Sequence, residues 1–507
     1  EIGRLSSSAA PRVLSGGGAL TVPVPSEVHS LDPSEADSAE HAEAVGNIFE
    51  TLTRNIEGGR IVPWLASEID SEEGGTRFRF RLRRGVRFHD GRSLTARDVR
   101  YSFERTLQNE KSQSRWLLSP IRGASAILKG TSSELAGLKI VSPSEFVLEL
   151  EKPVSFFPAM LSYAGLSIVP EGTSRLGDHW SQGCAGTGPF RVVRFEPGKV
   201  LELERNPGFW REGFPKAESL VFRFGVPPEE IKKEFLAGRL SIASDLLPAD
   251  ADELRRDPRL ASGYRESPRL STYCVVFNSG RGPLADAATR RRLFEGIDAP
   301  ALVRRTLGKL AIPASGLIPP GLLGHTARPE KAAGPTPPSP HPAGQETVEL
   351  TAAVHAVFSG EYSAFAKELT RAFRDLGFTL RPVNKTTQDY LEAAQKGTVD
   401  LVVGRWNADY PDADTFVTGA VHSSEGIFGR MCGTPEIDRL AERGRAESDP
   451  SIRHALYRQV EEILAKEALL LPLFHEQVYR FARPEVEGLT VGFSYPHVPY
   501  ENLWVRG

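Results

Sequence analysis

The hydrophobic residues of the chain repeat with two periods, and each period predicts a different kind of element. Over Arg77–Leu82 every second residue is apolar, which indicates a strand with one buried face. Thr95 then starts a predicted helix, because Thr is a favourable N-cap, Asp98 completes a capping box, and apolar residues follow at helical spacing. Another helical pattern covers residues 40–55, so the sequence predicts a continuous helix there.

Strands and helices alternate in the last third of the chain. The pattern predicts strands over residues 348–353, 378–383 and 399–403, each separated from the next by a helical repeat. Gly377 and Gly397 stand where the two helices should end, since Gly adopts the left-handed conformation of a helix C-terminus at little cost. A β-α-β-α-β order is typical of a mostly parallel sheet covered by helices on both faces, so we expect an α/β fold.

Length and charge narrow the classes of protein that fit. With 507 residues the chain is too long for one ordinary core, so two or three domains are expected. Lys and Arg number 62 against 65 for Asp and Glu, which gives a formal net charge of -3. Binding to a phosphate backbone needs an excess of basic residues, so this balance argues against nucleic acid as the main partner, although a local basic patch could exist.

The sequence contains no stretch that approaches the roughly 20 apolar residues of a membrane-spanning helix. Residues 1–18 are rich in Ser, Gly and Ala and are expected to form a flexible lead. The chain starts at Glu1 without an initiator Met, a basic n-region or an apolar h-region. We therefore expect that an upstream segment has been removed, whether a signal peptide, a lipoprotein leader or another domain.

The sequence lacks the motifs of common catalytic and metal sites. It has no GxxxxGK[ST] phosphate loop and no GxSxG elbow, and His475-Glu476 lacks the second His of an HExxH zinc site. Asp409, Asp412 and Asp414 suggest a calcium loop, but the Gly and Glu of an EF-hand are missing. We expect no enzyme activity, no cofactor and no bound metal. Cys184, Cys274 and Cys432 share no CxxC spacing, which argues against a zinc knuckle or a thioredoxin-like motif. Three cysteines allow at most one disulfide, and three isolated buried thiols are the favoured alternative.

Seven short segments, spread in order over nearly the whole chain, carry a further signal. They are Leu31-Asp32-Pro33, IVPWLA from Ile61, RFRFRLRRGVRFHDGRSLTARDVRYSFERTL from Arg77, GTGPF from Gly186, RNPGFW from Arg205, VVFNSGRGPL from Val275 and WNADYPDADTF from Trp406. Together and in this order they resemble the family 5 extracellular solute-binding proteins of bacterial ABC importers. That family has oligopeptide-, dipeptide- and nickel-binding members.

The resemblance implies a periplasmic-binding-protein-like α/β fold of type II (cluster C-like), with two lobes, a hinge and an extra inserted α+β domain. Two crossings of the chain between the lobes would form the hinge. Carried onto this chain, lobe I is 19–47, 167–267 and 479–507, the insert is 48–166, lobe II is 268–478, and the crossings are near 267–272 and 479–484.

The resemblance also implies a function. The protein would capture a short peptide in the cleft between its lobes and deliver it to a membrane ABC permease, as a monomer and without binding nucleic acid. It would act in the periplasm or outside the cell, either free or anchored by a lipid. Two alternatives stay open: a different solute, such as a nickel or other metal chelate or an oligosaccharide, or service as the ligand-sensing domain of a larger regulator.

The segment WNADY, residues 406–410, follows the buried strand predicted over 399–403. It should therefore lie at the carboxyl end of a parallel strand, where the ligands of open α/β sheets collect. The resemblance implies that Asp409 receives the α-ammonium of a peptide, because an ammonium offers three donors to a carboxylate. The alternative is that Asp409 caps a turn beside Pro411 and Asp412.

The neighbours of Asp409 have implied roles of their own. Trp406 would form an aromatic wall for the ligand, or else pack into the protein core. The backbone of Asn407 and Ala408 would pair with an extended peptide as an added strand, which suits any side chain. Arg405 would pair with a ligand carboxylate or point to solvent, and the solvent-facing alternative is favoured.

The resemblance implies further ligand contacts from the first lobe and from near the hinge. For the hinge histidine there is an alternative, a buried side chain whose hydrogen bonds are satisfied within the protein. These remaining implied contacts are Asp37, Ser38, Ala39, Tyr273, Tyr410, Phe474 and His475.

Overall fold

We describe the fold from a computed structural model of the chain. The described residues are 18–36, 38–56, 59–174, 185–327 and 346–506. The predictions about the flexible lead before Gly18, about Asp37 and about Cys184 lie outside these ranges. Within the described ranges, no helix combines the length and the apolar character that a membrane span requires.

The strands are named in chain order. They are β1 Ala19–Val24, β2 Thr53–Ile56, β3 Arg60–Pro63, β4 Ala66–Glu72, β5 Arg77–Leu82, β6 Leu138–Ser142, β7 Glu145–Glu149, β8 Phe190–Glu196, β9 Val200–Arg205, β10 Ser219–Phe224, β11 Ile242–Ala243, β12 Tyr264–Pro268, β13 Ser271–Phe277, β14 Ala311–Pro313, β15 Val348–Val354, β16 Phe378–Pro382, β17 Leu401–Asn407, β18 Leu470–Ala482, β19 Val486–Glu487 and β20 Trp504–Val505.

The helices are named in the same way. They are α1 Ala39–Val45, α2 Ala96–Gln108, α3 Ala124–Leu128, α4 Phe157–Met160, α5 Pro228–Leu236, α6 Pro248–Arg256, α7 Ala287–Gly296, α8 Ala299–Thr306, α9 Ser363–Asp375, α10 Thr387–Lys396, α11 Asp414–Phe416, α12 Gly429–Cys432, α13 Pro435–Ala446 and α14 Pro450–Lys466.

The N-terminal sheet has the strand order β1-β10-β9-β8. β1 runs parallel to β10, and the other neighbours are antiparallel. Leu20, Val22 and Phe222 are buried in its core, together with Tyr500 from the C-terminal end of the chain. The two ends of the sequence therefore build one core.

The small sheet, β4-β5-β7-β6, is antiparallel throughout. Phe78, Phe80 and Leu82 of β5 are buried, as the alternation predicts, and they share one core with apolar residues of α2. Thr95 and Asp98 form the predicted capping box at the start of α2. The sequence signal in this region is local, and the structure confirms it.

The central sheet has the order β11-β18-β13-β17-β15-β16, and β12 and β14 also pair with β18. β15 is parallel to both β16 and β17, which confirms the predicted β-α-β-α-β unit. β13 is antiparallel to both β17 and β18, so the whole sheet is mixed rather than mostly parallel. Its two faces bury separate cores, with Val402 in one and Val403 in the other.

One long strand, β18, ties this sheet to the N-terminal part of the molecule. Its first residues pair with β13, and the stretch from Gln477 to Phe481 pairs with β12. β12 and β13 are consecutive in the sequence and are separated by Arg269 and Leu270. Two antiparallel segments of the chain thus run side by side at the place where the sequence predicts the hinge.

The helix predicted over residues 40–55 is wrong in its second half. α1 ends at Val45 and β2 begins at Thr53. The backbone between them bonds to a distant segment, since the Gly188 N–H donates to the Ile48 oxygen at 2.9 Å. The apolar residues are buried as the pattern requires, but tertiary hydrogen bonds replace the helical ones.

Candidate ligand-binding cleft

A cavity of about 660 Å³ lies between the N-terminal part of the molecule and the central sheet. Its walls come from β1 and α1, from the end of α8 and the start of α9, and from residues 476–480 of β18. The segment from Tyr495 to Tyr500 near the C-terminus also lines it. The volume lies within the range of small-molecule sites, so it can hold a guest of several residues.

A second, much smaller pocket adjoins this cavity. It holds about 20 Å³, little more than one water molecule, and residues 407–411 form one of its walls. Arg269 and Tyr495 line both spaces and are hydrogen-bonded to each other at 3.1 Å, so this pair of side chains lies between the two. We call the first space the wide cavity and the second the Asp409 pocket.

Asp409 follows the end of β17 and lines the small pocket, as the sequence predicts for the end of this strand. Its side chain is open to solvent, yet protein surrounds it closely, and this desolvation raises its pKa to about 6. It has no hydrogen bond or ion pair with any residue of the described ranges. A carboxylate in this state gains from any cation that enters the pocket.

Tyr410 has a different surrounding from its neighbour. Its ring is buried in the core of the small sheet, where it stacks on Phe156 with centroids 5.5 Å apart and tilts against Trp116 at 5.9 Å. Its hydroxyl donates a hydrogen bond to Asp414 at 3.1 Å. The ring thus anchors the loop that carries Asp409, and its own contacts are with protein.

The acidic residues further along this loop are neutralised inside the protein. Asp412 accepts two hydrogen bonds from Arg453, at 2.7 and 2.9 Å, and both side chains are buried. Asp414 pairs with Arg445 at 3.4 Å and accepts from Thr418 at 2.8 Å. Of the three carboxylates in this motif, Asp412 and Asp414 have basic partners, and Asp409 has none among the described residues.

Asn407, the last residue of β17, lines the pocket together with Ala408. β15 pairs with β17 only as far as Val403, so the later residues of β17 have a strand partner in β13 alone among the described strands. The Ala408 N–H donates to the Leu270 oxygen at 2.8 Å and is therefore already used. Trp406 is half-buried against the core of the central sheet, and its Nε1 has no acceptor among the described residues.

The favoured expectation that Arg405 points to solvent does not match the structure. It is half-buried, and its Nη1 donates to the Tyr273 hydroxyl at 3.2 Å. Tyr273 in turn stacks on Phe474 with centroids 4.2 Å apart, and neither ring has any exposed surface. In this conformation Tyr273 and Phe474 lie behind the cavity wall and do not contact the cavity.

His475 is fully buried beside the hinge strands. Its Nδ1 lies 3.0 Å from the Thr272 hydroxyl and 3.2 Å from the Ser271 oxygen. Burial lowers its pKa to about 3, so the ring is neutral at physiological pH. The ring is buried, as the alternative of a satisfied hinge histidine expects, but its Nε2 has no hydrogen-bond partner among the described residues.

The first-lobe residues lie at the start of α1. The Ser38 hydroxyl accepts a hydrogen bond from the His41 N–H at 3.2 Å and so caps the helix. Ala39 lines the wide cavity, as the resemblance implies for a cleft-facing residue. Asp37 lies outside the described residues.

Sequence reasoning missed Glu476, the most connected acid of the wide cavity. It accepts hydrogen bonds from the Tyr273 and Tyr362 hydroxyls, both at 2.7 Å, and from Arg269 at 3.3 Å. Burial alone would raise its pKa, but the charge of Arg269 and the two phenols hold it below the ordinary value. The sequence signal was an acid inside an apolar strand, and its four side-chain partners, which include the Ser271 hydroxyl at 3.2 Å, are distant in the sequence.

The described residues contain no group of three or more His, Cys, Asp or Glu side chains that could hold a metal ion. Cys274 and Cys432 are buried free thiols. Burial raises the pKa of the Cys274 thiol to about 12, which keeps it protonated.

The sequence of the chain is similar to those of known solute-binding proteins. The model of the family described as bacterial extracellular solute-binding proteins, family 5, middle region, matches residues 60–427. Among curated proteins, the periplasmic murein peptide-binding protein MppA of Escherichia coli is 24% identical over 489 residues, covering 92% of this chain and 89% of that protein. A probable di/tripeptide-binding protein 5 of Pseudomonas aeruginosa is 27% identical over 464 residues, covering 85% of each.

Solved structures show the same fold. The unliganded open form of MppA covers 97% of this chain and 98% of its own, with a TM-score of 0.82 and 22% identity. NikA from Brucella suis, in complex with Fe(III)-EDTA, covers 96% of this chain and all of its own, with a TM-score of 0.79 and 19% identity. These likenesses show the fold class expected from the sequence, a type II periplasmic-binding-protein-like α/β fold.

Proposed function

The chain belongs to the family 5 bacterial extracellular solute-binding proteins, and from this premise we propose that it captures a short peptide and presents it to a membrane ABC permease. The wide cavity and the Asp409 pocket together form the binding cleft. The named peptide-binding relatives, of murein peptides in Escherichia coli and of di- and tripeptides in Pseudomonas aeruginosa, support this choice of ligand.

The observation that carries the proposal is the unpaired carboxylate of Asp409. It lines a small pocket that has room for a compact group with several donors, such as an α-ammonium. A charge-assisted hydrogen bond in this partly desolvated place is of the strong kind. The remaining peptide would extend past Arg269 and Tyr495 into the wide cavity.

Closure of the cleft is part of the proposal. The segments that would bend are residues 267–272 and 479–484, and lobe I (19–47, 167–267 and 479–507) would move against lobe II (268–478). The pairing of β12 and β13 with β18 supports this location, because two adjacent strands can twist together without breaking a core. Small-angle scattering should then show a smaller radius of gyration with ligand, and an unchanged radius at saturation would contradict closure.

The cellular location is inferred from the same family membership. We infer action in the periplasm or outside the cell, as a monomer without catalytic turnover, and relatives named as periplasmic proteins support this. A metal chelate is the second candidate ligand, because NikA of Brucella suis, which has a similar fold, is in complex with Fe(III)-EDTA.

Native mass spectrometry of the purified protein tests the choice of ligand. We expect a mass excess that fits short peptides and that disappears after denaturation. The Asp409→Asn variant, purified in parallel, should retain much less of this excess, while Asp375→Asn on the exposed surface of α9 serves as the matched control. A homogeneous sugar or metal complex on the unaltered protein would overturn the peptide proposal.

A further inference from the structure

The lining of the wide cavity is acidic. Among the described residues that line it, five carboxylates face two arginines. The carboxylates belong to Glu40, Glu43, Asp245, Glu361 and Glu476, and the arginines are Arg269 and Arg480.

Both arginines already have carboxylate partners. Arg269 pairs with Glu476 at 3.3 Å. Arg480 lies 3.6 Å from Glu43, whose carboxylate also accepts a hydrogen bond from the Tyr500 hydroxyl at 2.9 Å. Both arginines in the lining of the cavity therefore have a carboxylate partner.

Three carboxylates of the cavity have no ion-pair contact within 4.0 Å of a described residue. Asp245 is still attracted by Arg480, and Glu361 by Arg269 and Arg405. Glu40 lies in the first turn of α1 and Asp245 follows β11, so both belong to the N-terminal side of the cleft. Glu361 directly precedes α9, which packs on the central sheet. Burial and the neighbouring Glu476 raise the pKa of Glu361, so an entering cation would favour its ionised form.

The walls between these carboxylates are apolar. Val24 and Leu246 line the cavity from the N-terminal side, and Leu307 and Phe365 line it from the side of the central sheet. A side chain with an aliphatic stem and a charged end matches such a surface, because the stem covers apolar wall while the end reaches the acids.

We propose that the wide cavity selects a guest with a second cationic group on an aliphatic stem, so that the preferred peptides carry a Lys or Arg side chain. The inference rests on the proposed function, because Asp409 in the adjoining pocket holds the α-ammonium of the same guest. Glu361 and Asp245, from the two sides of the cleft, receive the side-chain cation. Arg269 and Tyr495 mark the passage between the two ends.

The same arrangement makes closure depend on the guest. Unpaired carboxylates on both sides repel each other as the cleft narrows, and the repulsion grows in a cavity from which water is expelled. A cation between them converts this repulsion into attraction on both sides. An acidic peptide would add to the repulsion and should be rejected.

Isothermal titration calorimetry with three matched tripeptides tests the inference. Ala-Lys-Ala, Ala-norleucine-Ala and Ala-Glu-Ala share a backbone and differ in the charge at the end of one stem. We expect the Lys peptide to bind at least about tenfold more tightly than the norleucine peptide, and the Glu peptide to bind most weakly. In the Asp245→Asn/Glu361→Gln variant the Lys preference should fall below about threefold, and the norleucine peptide should bind equally or more tightly, because the repulsion between the two sides is removed. Glu392→Gln, on the exposed face of α10, is the matched control.

The arms of the experiment separate this inference from the proposed function. If the three peptides bind equally and Asp409→Asn weakens all of them, peptide capture stands and the cationic preference is overturned. If no peptide binds but 1,5-diaminopentane does, and its binding needs Asp245 and Glu361, the cationic cavity stands and peptide capture is overturned. If neither the peptides nor the diamine bind, both proposals are overturned.

Discussion

Asp409 and Asp412 are neighbours in one loop, but their carboxylates have opposite surroundings. Asp412 is buried and receives two hydrogen bonds from Arg453. Asp409 has no such partner among the described residues and faces the cleft. Arg453 supplies the cation for Asp412, whereas in the proposed function a guest supplies the cation for Asp409.

The difference shows how one short motif can serve both stability and binding. Buried ion pairs fix the path of the loop, and the stacking of Tyr410 on Phe156 fixes it further. A rigid support matters for the free carboxylate, because an oriented group loses less entropy when the ligand binds. Substitutions in the two regions should therefore separate stability from affinity.

The largest effect is expected on stability, from Asp412→Ala. This change leaves the buried Arg453 without its partner, and the free energy of unfolding should fall by about 3–5 kcal/mol. Urea unfolding of the ligand-free protein measures the loss. Glu462→Ala breaks an exposed pair with Arg458 and should cost less than about 1 kcal/mol. Equal losses of unfolding free energy in the two variants would contradict a structural role for Asp412.

The next effect is expected on affinity, from Asp409→Asn. Loss of a partly buried charge partner should weaken binding of a free-amine peptide well over tenfold, at about 2–5 kcal/mol. The melting temperature of the ligand-free protein should stay the same or rise, because the substitution removes a charge whose desolvation is unfavourable. Calorimetric titration measures the affinity, and thermal melts measure the stability. A lower melting temperature with unchanged affinity would show that Asp409 stabilises the fold and does not bind the ligand.

A smaller effect is expected from pH. The raised pKa of Asp409, about 6, means that its carboxyl takes up a proton as pH falls through this value, and a neutral carboxyl cannot pair with an ammonium. Binding of Ala-norleucine-Ala should therefore weaken about tenfold from pH 7.5 to pH 5. Asp409→Asn should flatten this dependence, and an equally steep profile in that variant would assign the titration to another group.

Local patterns predicted much of the fold. The alternation of Arg77–Leu82 and the capping box of Thr95 and Asp98 depend on nearby residues, and both are found as expected. The helix expected over residues 40–55 failed after Val45, because its second half bonds to a segment far along the chain. Periodicity reports burial well, but it does not report which partner satisfies the backbone.

The same limit applies to the site. The position of Asp409 after a buried strand could be predicted, because strand ends collect at one edge of a sheet. The burial of Tyr273 and Phe474, and the convergence of Asp245 and Glu361 on one cavity, depend on packing between distant segments. Hydrophobic pattern and motif spacing contain no direct signal for such encounters.

Paired titrations of one peptide with a free and with an acetylated N-terminus test the central claim most directly. Acetylation removes the α-ammonium and Asp409→Asn removes its proposed partner, so the two changes form a double-mutant cycle. We expect the unaltered protein to prefer the free amine by well over tenfold and Asp409→Asn to bind both forms almost equally. The same preference in both proteins would show that the ammonium binds elsewhere and would contradict the account.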